Sequence, residues 1–152
     1  MIVSEDAIKT LTEICKRLEL SDIDYRVTGL TASNLYGYFL GTNVLDLVVI
    51  SSDCMIKSIE VLDLGEKNKS SVDDLFTCEL GLGYIRIQVD VLGDAVYHPL
   101  GIKLHSKELL LDRLNIYAAR DMGNRVEKAM AFIALTLDEE KTEKYKYIWN
   151  RL

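Results

Sequence analysis

Apolar residues recur along this chain in two rhythms, one of three to four and one of two, and the switches between them mark out its elements. Ile8, Leu11, Ile14, Cys15 and Leu18 repeat at helical spacing. Ser4 stands as a cap before them, Glu5 and Asp6 fall in the first turn, and Lys16 and Arg17 near the far end, as the helix dipole favours. Tyr25–Thr28 alternates bulky and polar residues as a strand does, and Gly29 follows where the chain must turn sharply into a short helix over Thr31–Tyr38. Gly37 and Gly41 bracket that helix's end. Val44–Ile50 is a nearly unbroken run of Val, Leu and Ile, the pattern of a strand covered on both faces.

Beyond it, Ser51, Ser52 and Asp53 offer caps for a helix that turns Met55, Ile56, Ile59 and Leu62 inward and stops at Gly65. The polar stretch Glu66–Ser71 predicts a loop. Leu75–Leu80 and Tyr84–Val91 flank Gly81-Leu82-Gly83 as the arms of a hairpin. His98-Pro99 closes that region, and Gly101–Leu104 predicts a short last strand. Ser106 then caps a helix with Leu109, Leu110, Arg113, Leu114 and Tyr117 along one face. A second helix is expected from Asp121, burying Val126, Ala129, Ile133 and Leu137, and a C-terminal helical piece over Thr142–Leu152. Strands and helices mixed in this way predict an α/β (α+β) fold. At 152 residues the chain is expected to form one domain, with a core over about 1–105 and a helical part over about 106–152.

Two carboxylates stand out of this pattern. Asp46 alone interrupts the apolar run of its strand, where an unpaired charge would be costly, so a cation, a donor or water is expected beside it. In the second hairpin arm Ile85, Ile87, Val89 and Val91 fall on one face, which leaves Tyr84, Arg86, Gln88 and Asp90 on the other.

The order of these features resembles the nucleotidyltransferase superfamily. Its signature is a glycine turn into a helix, about a dozen residues, and an acidic-hydrophobic-acidic step on the next strand. Val27-Thr28-Gly29-Leu30 stands at the glycine turn, Leu45-Asp46-Leu47-Val48 at the acidic step, and Val89-Asp90-Val91 at a third acidic position. Ser106, Glu108, Leu109–Leu111 and Arg120 match a later stretch of the family pattern, with Arg113 in the place of a lysine.

The resemblance implies a mixed β-sheet of four to five strands with helices packed on it. It also implies a nucleoside triphosphate and Mg2+ as cofactors, Asp46 and Asp90 as catalytic residues and metal ligands, and Thr28, Gly29 and Arg113 as nucleotide-binding residues. The chain departs from the signature at Leu30, where the family has Ser or Gly, and at Val48, where it has a second carboxylate. Asp53 and Glu79 are the other acids near enough in the pattern to supply an oxygen, and both read as surface residues.

Half of the residues are hydrophobic and a quarter or so charged, as in soluble globular proteins. No apolar run approaches a membrane span, and a cytoplasmic location is expected. A net charge of -6 speaks against general nucleic-acid binding. Cys15, Cys54 and Cys78 are in no zinc-binding spacing and read as reduced thiols, and His98 and His105 are isolated from any ligand pattern. Ser33 and Asn34 read as capping or surface residues.

Three readings stand at this point. One is a nucleotidyltransferase-fold protein with weakened or lost nucleotidyl transfer, a nucleotide-binding or regulatory protein like the abortive-infection antitoxins that TGLTASNLYG resembles. Its partner would be another protein or a second copy, met through Tyr145, Ile148 and Trp149. Another is a working minimal enzyme that moves a nucleoside monophosphate onto a protein or small-molecule hydroxyl. The last is an unrelated small α/β domain.

Overall fold

A computed structural model describes residues 5–38, 42–65, 69–72, 74–81, 83–119 and 125–150. Its elements in chain order are α1 (Glu5–Leu20), β1 (Arg26–Val27), α2 (Gly29–Leu35), β2 (Val44–Val49), α3 (Ser52–Val61) and β3 (Lys69–Val72). There follow β4 (Leu75–Leu80), β5 (Gly83–Val89), β6 (Val96–Tyr97), β7 (Lys103–Leu104), α4 (Lys107–Ala118) and α5 (Arg125–Asn150). Seven strands form one mixed sheet in the order β3-β4-β5-β2-β1-β7-β6. Strand β2 lies at its centre, antiparallel to β1 and parallel to β5.

The pleat divides the sheet into two chemically distinct faces. Register places Val27, Leu47, Ile87 and Phe76 on one of them, and Leu45, Val49 and Ile85 share it, all buried. Helices α1 and α3 cover this side; Leu11, Ile14, Cys15 and Leu18 of α1 and Met55 of α3 join the same core. Burying such side chains contributes about 1.5–3 kcal/mol each. The opposite face carries Thr28, Asp46, Val48, Arg86 and Gln88, and α4 reaches it through Arg113 and Tyr117. Leu110, Leu114, Val126, Ala129 and Ile133 fill the core around α4 and α5. Among the described residues no helix is long and apolar enough to cross a membrane.

Several expectations hold in detail. Ser51 and Ser106 cap α3 and α4, accepting from the amides of Cys54 and Leu109. The β4–β5 hairpin pairs Leu75 with Gln88 through Leu80 with Gly83.

The differences have physical causes. The sheet has seven strands against the four or five expected. Lys69–Val72, read as loop, pairs antiparallel with β4, where backbone hydrogen bonds override a polar composition. Val96–Tyr97 pairs with β7 at the sheet's edge. The two expected C-terminal helices are one continuous α5. Ile56 is exposed, as is Val91, which follows the end of β5. Ser33 and Asn34 are buried, each donating to the carbonyl one turn back, Gly29 and Leu30. Ser4, Gly41, Leu82, Arg120 and Asp121, and the side chains of Tyr145, Ile148 and Trp149, lie outside the described residues.

Candidate functional site

The turn before α2 is built around the carboxylate that follows it in β2. Gly29 has φ +65°, a conformation that side chains rarely adopt, and a Cβ placed on it would stand 2.5 Å from Asp46 Oδ2. Glycine is therefore needed twice over, for the backbone and for the space. The Thr28 amide donates to the Asp46 carbonyl at 3.0 Å. One turn into α2, the Thr31 hydroxyl accepts from the Asp46 amide at 3.2 Å and donates to the Val44 carbonyl at 2.7 Å. Together these bonds fix the helix start to the middle of β2.

Directly across the parallel β2–β5 ladder from Asp46 stands Arg86. Its Nε lies 2.8 Å from Asp46 Oδ1, with side-chain exposures of 31% for the arginine and 4% for the aspartate. The contact is an ion pair without hydrogen-bond alignment: Oδ1 is enclosed and has no donor in line with it. Burial pushes the Asp46 carboxyl up to about 6, and the Arg86 guanidinium, with Arg113 further off, opposes that rise.

Asp90 lies on the neighbouring strand's extension, its amide donating to the Val49 carbonyl at 3.0 Å. Because Asp46 is level with Arg86 and Val48 with Gln88, Asp90 falls two same-face positions beyond Asp46's partner, about 13 Å along the strand. The two acids thus share a face and neighbouring strands but are not side by side. Asp90 forms its own ion pair with Arg113 of α4, and Arg113 also donates to Gln88. Tyr117, one turn along α4, has the guanidinium carbons of both Arg86 and Arg113 over its ring, at 5.3 and 5.4 Å from its centre. Its hydroxyl accepts from Gln88.

Thr28 and His105 complete a row across the sheet. The His105 Nε2 donates to the Val91 carbonyl at 2.9 Å, which leaves Nδ1 to accept from the Thr28 hydroxyl at 3.0 Å. Both side chains are buried. Burial holds the imidazole pKa below its ordinary value.

Every expected site residue is thus placed. Thr28 is bonded to His105, Gly29 cradles Asp46, Arg113 is joined to Asp90, and Val48 is buried beside Asp46. Leu30 packs against the core. Asp53 is exposed in the first turn of α3, and Glu79 is exposed on β4 opposite Tyr84. Arg86, Gln88, Tyr117 and His105 were not among the expected site residues. Arg86 carried a signal, as the one cation in either hairpin arm and on the same polar face as Asp90.

Magnesium asks for a near-octahedral shell of oxygens. Among the described residues there is no group of three or more His, Cys, Asp or Glu that could hold an ion. One enclosed oxygen of Asp46 faces a guanidinium, and Asp90 is engaged by another, so the side chains present do not fit a magnesium centre.

No protein-family model matches the sequence, and no curated protein does. Solved structures do match in shape. ANT(2")-Ia in complex with adenylyl-2"-tobramycin superposes with a TM-score of 0.69 at 14% identity, over 94% of this chain and 96% of that one. The lincosamide antibiotic adenylyltransferase LnuA, lincomycin-bound, gives 0.59 at 17% identity, over 88% and 98%. An antigenic nucleotidyltransferase-like protein from Paracoccidioides brasiliensis gives 0.54 at 16% identity, over 89% and 77%. The chain has the nucleotidyltransferase fold.

Proposed function

We propose that this chain is a nucleotidyltransferase-fold protein in which nucleotidyl transfer is weakened or lost, and which acts as a nucleotide-binding or regulatory partner. One observation carries the reading: each candidate acid is closed by an arginine of the chain itself, Asp46 by Arg86 and Asp90 by Arg113. Transfer of this kind depends on positioning and on stabilising charge at the phosphates. A metal able to supply that charge needs converging carboxylates, and these two point to separate cations. The guanidiniums that neutralise them are planar donors suited to phosphate oxygens, so nucleotide binding that needs no metal is consistent with the site. In this reading Thr28 and Gly29 shape the turn, and Arg113 is the residue nearest to a nucleotide-binding role.

Calorimetry with ATP, in magnesium and in a chelator, together with label transfer from each nucleoside triphosphate, tests the proposal. Equal binding in both buffers and no labelled product is the expected result. Magnesium-dependent transfer abolished by Asp46→Asn would overturn it. That outcome would favour instead an active minimal enzyme, the reading that the adenylylated product bound to ANT(2")-Ia supports.

A further inference from the structure

We propose that the open edge of the sheet at β6 pairs with the same strand of a second copy of this chain, antiparallel about a two-fold axis at Val96, so that two sheets join into one. The inference goes beyond the reading above and does not depend on whether a nucleotide binds.

The bonding of β6 to β7 determines which of its backbone groups face outward. Val96 is level with Leu104 and Tyr97 with Lys103, and the His98 amide donates to the Ile102 carbonyl at 2.8 Å. Hydrogen-bonded pairs alternate along an antiparallel ladder, so Val96 and His98 are turned toward β7, and the N–H and C=O of Ala95 and Tyr97 point away from the sheet. The side chains at this edge are apolar and open to water, Tyr97 at 72% and Val96 at 39% exposure. The sheet's other edge, β3, has the sequence Lys-Ser-Ser-Val, a polar composition of the kind that keeps edges from pairing. Strand β6, Val-Tyr, has no such guard.

Symmetry then selects the register. A strand that pairs antiparallel with its own copy meets the self-complementarity that a two-fold interface requires. With Val96 level with Val96 of the second copy, Ala95 stands opposite Tyr97 and Tyr97 opposite Ala95, and each of these pairs exchanges both of its backbone bonds. Sliding one strand by two residues either way spoils this. In one direction Ala95 would face Pro99, which has no N–H, and in the other Tyr97 would face Gly93, whose φ of +61° is not that of a strand. The side chains suit the same register: it sets the large Tyr97 beside the small Ala95, and Val96 beside Val96 as a β-branched cross-strand pair. Beyond them, the exposed Asp94 of each copy lies opposite His98 of the other. His98 Nδ1 accepts from the Leu100 amide at 3.2 Å, which leaves Nε2–H to donate to that carboxylate. For a chain of net charge -6, an acid that meets an imidazole and not another acid favours approach of a second copy.

Sedimentation velocity of the full chain from micromolar to sub-millimolar loading tests this, using the wild type, Tyr97→Pro, Asp94→Lys, and Asp94→Lys combined with His98→Asp. The wild type is expected to dimerise as concentration rises, in the manner of a small interface. Tyr97→Pro removes an outward N–H and leaves the bonds to β7, and should be monomeric. Asp94→Lys should weaken the dimer about tenfold, and adding His98→Asp should restore it. In the wild-type dimer the Ala95 and Tyr97 amides should exchange with solvent more slowly than in Asp94→Lys at the same concentration.

A wild type that stays monomeric at every loading overturns the proposal. So does a dimer that Asp94→Lys leaves intact, or one in which those two amides exchange freely. Should Tyr97→Pro fail to fold, the charge exchange between positions 94 and 98 decides. A monomer that binds ATP without metal would sink the pairing alone and leave the functional reading standing.

Discussion

Gly29 and Asp46 occupy each other's space: the carboxylate fills the volume that any side chain at position 29 would need. The contact ties the turn's left-handed backbone to the acid's packing, so neither can change alone. Gly29→Ala should therefore destabilise the protein by about 2 kcal/mol or more, through strain at φ +65° added to a clash at 2.5 Å. Urea unfolding measures it. Adding Asp46→Ala should restore only the steric share, which a double-mutant cycle isolates.

The raised pKa of Asp46 sets a pH dependence of definite sign. Its folded value of about 6 lies above the usual carboxylate range, so between about pH 4 and pH 6 the folded state holds the proton more tightly than the unfolded chain. Stability from this group is present at low pH and is lost as pH rises through about 6. Relative to Asp46→Asn, the wild type should lose about 3 kcal/mol between pH 3 and pH 7. Replacing Arg86 with Met should move the Asp46 titration to higher pH still, because the guanidinium is the main influence opposing burial. Carboxyl carbon chemical shifts across the titration would report both values, and a lower value in the Arg86→Met variant would refute the assignment.

His105 acts in the opposite sense. Its buried imidazole has a lowered pKa and must stay neutral to accept from Thr28, so the unfolded chain takes up a proton first as pH falls below about 6.5. Its contribution is present above that pH and is lost below it. His105→Phe should cost about 1–3 kcal/mol at pH 8, since the Thr28 hydroxyl and the Val91 carbonyl lose a partner. The difference from wild type should shrink at pH 5, which denaturant melts at the two pH values would show.

Tyr117 lies within reach of two guanidiniums, those of Arg86 and Arg113. Tyr117→Leu should remove the cation–π support and the hydroxyl contact with Gln88, lowering stability by about 1–2 kcal/mol. Tyr117→Phe should cost less, because the ring remains. Equal losses in the two variants would show that the hydroxyl alone matters.

Much of this architecture could be read from residue order. The run Val44–Ile50 with its single acid, the Gly29 turn, the hairpin around Gly81 and Gly83, and the Ser51 and Ser106 caps all carry local signals, and each formed, with the strand ending at Val49 and Ile50 exposed beyond it. What stayed hidden depends on pairing between distant segments. Arg86 alternates onto a polar face and reads like a solvated side chain until the β2–β5 register sets it level with Asp46. The same register separates Asp90 from Asp46, although alternation alone assigns both to one face. Lys69–Val72 is polar and becomes a strand only because β4 offers it a free edge. His105 looked isolated because its partners, Thr28 and Val91, are remote in the chain.

The parallel pairing of β2 with β5 also bears on the order of events during folding. The β4–β5 hairpin closes a tight turn and can form within microseconds, whereas β2 must wait for the intervening α3, β3 and hairpin to be gathered in. Asp46 consequently stays wetted until the β4–β5 hairpin is already assembled. The docking that strips its water is then the same event that carries Arg86 across to it, and the carboxylate never passes through a dry interior alone.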